Sequence, residues 1–218
     1  MSKQWVCTIC GYVETGEAPP ETCPICGADA SAFEPVEEPE AATTPAPAAA
    51  PAPAAKPAGE PLSGEQAIKQ ALFKISYGLF VISANADGRD NGQCANTLFQ
   101  ITSEPPKIAI GINKGNFTHG LIQKSGKLGV SVLSQTGHDY ARKFGYSSGR
   151  DKDKFADVAA HRGANGVLLL DDVLATMEAT VVNQMDAGTH TLFLADVTKA
   201  ELLQEGPPMT YDYFRATK

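Results

Sequence analysis

Several common signatures are missing from this chain of 218 residues, and each absence excludes a class of protein. There is no G-x-G-x-x-G and no P-loop sequence, which excludes the Rossmann and Walker modes of nucleotide binding. No apolar run approaches the roughly 20 residues of a membrane-spanning helix. Lysine and arginine are scattered in a chain of net charge −7, which argues against nucleic acid or an anionic membrane as a partner.

The first residues also lack the charged and then apolar leader of a secreted protein. We therefore expect a cytoplasmic protein, in a reducing compartment where thiols stay available to bind a metal. The chain is long enough for one small metal-held domain and one domain with a hydrophobic core of its own.

Cysteine is scarce, but four of the five cysteines form two C-x-x-C pairs: Cys7 with Cys10, and Cys23 with Cys26. One such pair can offer two thiolates to a single ion, and two pairs complete a closed tetrahedral shell. Spacing alone leaves zinc and a single iron as alternatives, because both ions accept four sulfur ligands.

The residues around these cysteines narrow the choice of metal. They read WVCTICGYV from residue 5, CPICGA from residue 23 and FEPV from residue 33. This pattern resembles a rubredoxin, in the short-spacer form found at the end of rubrerythrins, over about residues 3–36. The resemblance implies one iron held by Cys7, Cys10, Cys23 and Cys26, with a zinc ribbon as the alternative.

Residues 37–61 separate this segment from the remainder of the chain. They are almost entirely Ala, Pro, Glu and Thr, and they have no apolar periodicity from which a core could form. Alternating proline and alanine favour extended polyproline II, at about 3.1 Å per residue. We therefore predict a metal domain (1–36), an Ala/Pro-rich linker (37–61) and a globular domain (62–218).

In the globular domain, short apolar runs alternate with turn residues. Ser63 is placed to cap a helix with one apolar face, and the four charged residues 151–154 are predicted to form a solvated loop. This pattern predicts a mainly β fold, a barrel of antiparallel strands with peripheral helices. The predicted strands are 78–86, 93–102, 107–112, 127–133, 175–185 and 191–199, and further helices are predicted at 117–124 and 138–146.

Two polar segments of this domain are candidates for a nucleotide site. Residues 92–97 offer amide and hydroxyl groups that suit the hydrogen-bonding edge of a flat heterocycle. Residues 113–118 place a lysine, an asparagine and a threonine just before a helix, where N–H groups and a cation form an anion site. A ring site followed by a phosphate site favours FMN, although ordinary turn chemistry explains the same residue types.

The order of these segments, with Gly188-Thr189-His190-Thr191 before the last strand, resembles the flavin reductase family and its FMN-binding split barrel, over about residues 65–214. The resemblance implies that His190 lies beside the flavin where nicotinamide stacks, although Thr189 replaces the family's acidic residue. It implies that Asn96, Thr97 and Thr102 contact the ring and ribityl chain. It implies that Lys114, Asn116 and Thr118 contact the phosphate. Three further cofactor contacts are expected in the same segments: Gln93, Cys94 and Phe117.

A flavin that accepts a hydride, joined to a one-electron iron centre, resembles the high-molecular-weight rubredoxins. That resemblance implies a homodimeric oxidoreductase that takes electrons from NADH or NADPH. It further implies that the iron centre passes them to a flavodiiron protein or another redox acceptor. Two alternatives remain open: a flavin or ferric reductase with an accessory rubredoxin, and a non-enzymatic flavin- or zinc-binding interaction module.

Overall fold

The computed structural model describes residues 3–9, 12–24, 27–35 and 63–217. The chain divides into two compact units, Met1–Gly59 and Glu60–Lys218. The predicted linker, residues 37–61, lies outside the described residues, as do Cys10 and Cys26. None of the helices in the described part of the chain is both long and apolar enough to cross a membrane.

The first unit is built on a three-stranded antiparallel sheet in the order β2-β1-β3. Its strands are β1 (Lys3–Cys7), β2 (Val13–Gly16) and β3 (Phe33–Pro35). A short 3₁₀ turn precedes β3, and the carboxylate of Asp29 caps it by accepting the N–H of Ser31 at 2.8 Å. The remaining described residues of this unit form turns, bends and irregular segments.

The second unit begins with α1 (Gly64–Leu72), for which Ser63 is the N-cap residue, as predicted, although its hydroxyl makes no capping hydrogen bond. A seven-stranded sheet, a short hairpin and three more helices follow. The strands of the sheet are β4 (Phe80–Ala86), β5 (Arg89–Ala95), β6 (Leu98–Ser103), β7 (Pro106–Asn113), β8 (Lys127–Val132), β11 (Ala175–Ala187) and β12 (His190–Leu202). The hairpin is β9 (Ala160–Arg162) with β10 (Leu168–Leu170), and the helices are α2 (Phe117–Ser125), α3 (His138–Gly145) and α4 (Tyr211–Thr217).

All neighbouring strands of the large sheet are antiparallel, in the order β5-β4-β8-β11-β12-β7-β6. The two edge strands, β5 and β6, are consecutive in the chain and only Asn96 and Thr97 lie between them. Because two residues cannot span a flat seven-stranded sheet, the sheet must curl until its edges meet. The mainly β, barrel-like architecture is therefore confirmed.

Some predicted elements differ from the structure. The single strand predicted over 93–102 is wrong, because the chain leaves one edge of the sheet at Asn96 and joins the other edge after Thr97. The hairpin of β9 and β10 and the helix α4 were not predicted, since all three elements are short. The remaining predicted strands and helices lie within a few residues of the observed ones.

The sheet separates two hydrophobic clusters. One cluster, which includes Ile82, Ile110 and Phe193, lies on the side covered by α2. The other includes Val81 and Phe144 and lies beneath α3 and α4. Alternate residues of β4 enter opposite clusters, so that strand is buried on both faces, which explains its nearly continuous apolar sequence.

This burial pattern predicts that two leucines contribute very differently to the free energy of unfolding. Leu128 of β8 is 0% exposed in the first cluster, whereas Leu202 at the end of β12 is 72% exposed. Leu128→Ala should lower the free energy of unfolding of the second unit by about 2–5 kcal/mol, because it leaves a cavity. Leu202→Ala should change it by no more than about 0.5 kcal/mol. Urea unfolding followed by circular dichroism measures both, and equal losses would show that this core is assigned wrongly.

Candidate functional site

In the first unit, Cys7 and Cys23 lie in one small apolar cluster. Their exposed fractions are 1% and 2%, and Phe33 packs beside them. The N–H of Cys7 donates to Tyr12 O at 2.8 Å and the N–H of Cys23 donates to Ala28 O at 2.7 Å, so the chain folds back after each of these cysteines. The two loops therefore bring their first cysteines into a shared core.

The second loop shows why glycine follows its cysteine pair. Gly27 has a φ of +74° and its N–H donates to Cys23 O at 2.9 Å. A side chain at this φ would be strained, whereas glycine adopts it at little cost. The predicted ligands Cys10 and Cys26 lie outside the described residues.

The donor chemistry of this unit fits a metal ion bound by four thiolates. The described part of the unit ends at Pro35, and domains below about 40 residues usually need a metal, disulfides or a partner to fold. Its buried hydrophobic side chains are only Cys7, Cys23 and Phe33 among the residues that the structure describes. Cys7 and Cys23, which lie in the same cluster, are the described residues of this unit that could bind such an ion.

In the second unit, a cavity of about 380 Å³ lies between β5, the start of α2 and residues 144–150. We call it the inner cavity. Five of the predicted cofactor contacts line it: Gln93, Cys94, Asn116, Phe117 and Thr118. The structure therefore brings together two of the segments that the sequence had marked as separate candidates.

Hydrogen bonds fix the polar wall of the inner cavity. The side-chain amide of Asn116 donates to Gln93 Oε1 at 3.1 Å. Thr118 is fully buried, and its hydroxyl accepts from Asn91 Nδ2 at 2.7 Å. These bonds connect the start of α2 to β5, so the amides and the helix N-terminus face the cavity in a fixed arrangement.

The groove continues beyond the inner cavity through two smaller cavities. Cys94 also lines a cavity of about 180 Å³, and Asn96 lines both this cavity and an apolar one of about 280 Å³ beside α1. Thr97 and Thr102 line none of these three cavities. The hydroxyl of Thr97 donates to Gly111 O and that of Thr102 donates to Pro105 O, each at 2.6 Å. Of the three residues predicted to contact the ring and ribityl chain, Asn96 is the one that lines this groove.

The structure places Lys114 beside the turn between β11 and β12. Its ammonium group pairs with Asp186 Oδ1 at 2.7 Å, and its N–H donates to Thr189 O at 3.0 Å, so it lies against the turn between β11 and β12. It does not line the inner cavity.

Arg150 lies where a cation was expected. It lines the inner cavity, and its Nη2 donates to Gly115 O at 3.0 Å beside the start of α2. Its guanidinium carbon is 5.9 Å from the centre of the Phe117 ring, and that of Arg89 is 4.5 Å from the same centre. Among the described residues, no carboxylate lies within ion-pair distance of either arginine.

The prediction of a solvated loop at residues 151–154 is wrong for Lys154, which is 5% exposed. Its ammonium group donates to Gly92 O at 2.9 Å and to Phe144 O at 3.1 Å, and burial lowers its pKa. Burial also raises the pKa of the Cys94 thiol to about 11, an effect that the nearby Lys154 charge only partly opposes. Cys94 is therefore a protonated wall residue near neutral pH and not a nucleophile.

His190 is the first residue of β12 and pairs with Asn113 of β7. Its Nδ1 lies 2.8 Å from the hydroxyl of Thr189. That neutral partner replaces the carboxylate of the family pattern. His190 does not line the inner cavity, so the structure does not bring it together with Gln93, Cys94 and Asn116.

Comparisons with known families agree with this division of the chain. Residues 72–217 match the flavin reductase like domain, and residues 5–34 match the rubrerythrin, rubredoxin-like domain. Among solved structures, an NADH:FAD oxidoreductase from Streptomyces globisporus has a TM-score of 0.64 at 23% identity, and the match covers 69% of this chain and 89% of that one. This likeness shows the fold, a flavin reductase-like barrel, and confirms the predicted fold class.

Two curated relatives are considerably closer in sequence. A high molecular weight rubredoxin from Moorella thermoacetica is 44% identical over 151 residues, which are 68% of this chain and 66% of that protein. A ferric-chelate reductase (NAD(P)H) from Archaeoglobus fulgidus is 42% identical over 147 residues, which are 66% of this chain and 87% of that protein. The chain therefore belongs to the flavin reductase-like family of oxidoreductases, and it carries a rubredoxin-like domain as well.

Proposed function

We propose that this chain takes electrons from NADH or NADPH, passes them through FMN to a four-cysteine iron centre, and delivers them to a separate acceptor such as a flavodiiron protein. The observation that carries this proposal is the presence, in one chain, of a flavin reductase-like domain and a rubredoxin-like domain. A flavin accepts two electrons as a hydride and releases them singly, which an iron centre requires.

The inner cavity suits the flavin. The amides of Gln93 and Asn116 offer donors and acceptors for a heterocycle edge, whereas Arg150 and the N-terminus of α2 offer positive charge for a phosphate. We propose FMN because this cavity has a single such cationic end. Asn96, Thr97 and Thr102 are proposed to lie toward the ring and ribityl chain.

His190 is proposed to lie where the nicotinamide ring of the reductant stacks on the flavin. Its neutral partner Thr189 leaves the imidazole without a carboxylate in direct contact, among the described residues. A positioning role therefore suits it better than strong acid or base chemistry, and hydride transfer between two stacked rings requires no such group.

For the metal centre, we propose iron bound by Cys7, Cys10, Cys23 and Cys26. The match to a rubredoxin-like domain favours iron over zinc. The protein's contribution would be burial of the thiolates and N–H groups directed at them, which tune the potential of such centres.

We also propose that the protein is cytoplasmic and that two copies associate. Helix α1 buries no residue against the remainder of its own unit, and its Ile68 and Leu72 are 61% and 55% exposed. Phe99 and Ile101 on the edge strand β6 are exposed as well. A second copy would cover apolar surface that one copy leaves in water.

One alternative has specific support. The relative of which this chain covers 87% is named a ferric-chelate reductase (NAD(P)H). In that case the flavin domain would reduce a ferric chelate directly, and removal of the rubredoxin-like domain would leave its turnover unchanged. A non-enzymatic module, the other alternative, would not oxidise NADH or NADPH at all.

The positions of Arg150 and Lys114 give a prediction for flavin binding. Arg150→Ala should weaken FMN binding about 10- to 100-fold, because it removes a charge-assisted hydrogen bond from the cavity. Lys114→Ala is the matched control and should change the affinity by less than about threefold, since its ammonium group pairs with Asp186. Fluorescence titration of the flavin-free protein measures both. A larger loss in Lys114→Ala would reject this assignment.

If the four cysteines bind iron, the metal centre can be lost while the flavin-binding unit stays folded. Cys23→Ser should abolish or alter the ferric–thiolate absorption, yet leave the flavin content of the second unit unchanged, because that unit has its own core. Metal analysis and absorption spectra of protein from iron-sufficient cultures provide the measurement. One zinc per chain, with no iron, would contradict the proposed carrier.

If electrons pass from the flavin to the iron centre, cleavage of the chain between the two domains should change the rate at which the iron is reduced. Linked domains have an effective local concentration on the order of millimolar when the linker is flexible. Cleavage between Ala50 and Pro51, at an inserted protease site, should therefore make iron reduction slower and dependent on protein concentration. Stopped-flow absorption at the flavin and iron bands follows the two steps, and flavin reduction is the internal control. If iron reduction keeps one concentration-independent rate after cleavage, the proposal of a tethered carrier is wrong.

A further inference from the structure

Nothing in the proposed function uses the buried side chain of Lys154. Its ammonium group donates to Gly92 O of β5 at 2.9 Å and to Phe144 O of α3 at 3.1 Å. A protonated lysine has three N–H donors, and the third has no acceptor among the described residues. No carboxylate in the described part of the chain lies within ion-pair distance of this group. Only two carbonyl dipoles therefore compensate its charge.

The ammonium group of Lys154 lies beside the middle of the groove. It bonds to the carbonyl of Gly92, and the next two residues of β5, Gln93 and Cys94, line the inner cavity as Lys154 itself does. The charge of Lys154 acts on the Cys94 thiol. Cys94 also lines the cavity of about 180 Å³ that Asn96 lines. Lys154 is thus placed along the part of the groove that leads to Asn96.

The inner cavity carries positive charge that nothing in its lining cancels. Besides Lys154, the titratable residues that line it, among those the structure describes, are Cys94, Tyr146 and Arg150. Burial raises the pKa of the Cys94 thiol to about 11, so this thiol stays neutral near neutral pH. Tyr146 is 69% exposed at the end of α3, and a phenol is also uncharged at this pH. Two cations and no anion therefore face a ligand in this cavity.

The burial of Lys154 makes its charge sensitive to a ligand. Loss of hydration disfavours the ammonium form, and burial lowers the pKa of Lys154 accordingly. A negative charge nearby favours the ammonium form and is itself favoured by it, more strongly in a water-excluded site than in water. A ligand that can be neutral or negative at this point is therefore held more tightly in its negative form.

Reduction by a hydride gives a flavin ring such a charge. A hydride carries two electrons and one proton, so the uncharged ring system gains one negative charge unless a second proton follows from water. The phosphate is the same in the oxidised and reduced cofactor, so a cation at the phosphate, as proposed for Arg150, does not distinguish the two forms. A cation beside the ring does distinguish them.

We propose that Lys154 stabilises the reduced, negatively charged ring of bound FMN relative to the oxidised ring and thereby raises the reduction potential of the cofactor. The proposal rests on the proposed FMN site and deepens it, because it assigns different cations to the phosphate and to the ring. A higher potential makes transfer of a hydride to the flavin more favourable.

The first test compares the affinities of the full chain for oxidised and reduced FMN. Lys154→Gln keeps an amide that can donate to the two carbonyls but removes the charge. It should weaken binding of reduced FMN about tenfold relative to oxidised FMN, which lowers the midpoint potential by about 30 mV for a two-electron couple. Lys154→Arg keeps the charge and should leave the potential close to that of the wild type. Lys152→Gln, an exposed residue of the same loop, is the matched control and should change the ratio of affinities less than about threefold, because water and salt screen its charge.

Fluorescence titration gives the affinity for oxidised FMN, and reduction with dithionite against a reference dye, followed at the flavin band, gives the potential. Equal losses of affinity for both forms in Lys154→Gln would indicate a phosphate contact or a structural role, and the proposal would be wrong. An equal shift of the potential in Lys152→Gln would reject it as well, since the effect would then come from net charge alone.

A measurement on the wild type tests the proposal even if Lys154→Gln does not fold. If the reduced ring stays negatively charged, one proton accompanies two electrons, and the midpoint potential falls by about 30 mV for each pH unit. Free FMN is the control, and bound FMN should keep this slope to a lower pH than free FMN does. If both take up the second proton at the same pH, with a slope of about 59 mV per unit below it, Lys154 has no such effect. Neither test uses NADH, NADPH or the iron centre, so failure of the proposed electron route leaves both intact.

Discussion

Two hydrogen bonds between Thr97 and Gly111 hold the start of β6 against β7, where the chain crosses from one edge of the large sheet to the other. The N–H of Gly111 donates to Thr97 O at 3.0 Å, and the hydroxyl of Thr97 donates to Gly111 O at 2.6 Å. They fasten the chain to β7 at the point where it passes from one edge strand to the other. Asn96 lies at this crossing and lines both of the smaller cavities of the groove, so the crossing fixes where the groove passes the edge of the sheet.

The buried side chain of Lys154 is a second constraint, and burial of its charged group costs free energy. A buried ammonium group loses its hydration, and the lowered pKa of Lys154 reports that loss. Two carbonyl acceptors compensate part of the loss, since hydrogen bonds to charged groups are worth about 1.5–3 kcal/mol each. What the structure gains is a fixed position for residues 149–155. An apolar residue could pack in the same space, but it could not bond to Gly92 O and Phe144 O at once. The fixed position of Arg150 in the wall of the inner cavity is the structural consequence.

The parts of the structure that were predictable are those encoded locally. The cysteine pairs, the N-cap at Ser63, the strand periods and the start of α2 after Asn116 all depend on residues close together in the chain. Gln93 and Asn116 were both suggested by residue type, and the structure brings them into contact. The pairing of Lys114 with Asp186 was not foreseen, because the two residues lie far apart in the chain and no local pattern reveals their contact. Arg150 and Lys154 were missed for the same reason, since charged residues in a loop usually face solvent.

The two units depend on different forces, and this difference bears on how a chain with two cofactors can work. In the first unit, among the described residues, only two cysteines and one phenylalanine form the buried apolar core, so metal–thiolate bonds must supply much of its folding free energy. The second unit has two hydrophobic clusters and needs no ligand to form a core. Loss of the metal would therefore unfold one unit and leave the other intact. Each unit is thereby maintained independently, and the proposed transfer of electrons between them requires only that the two folded units meet.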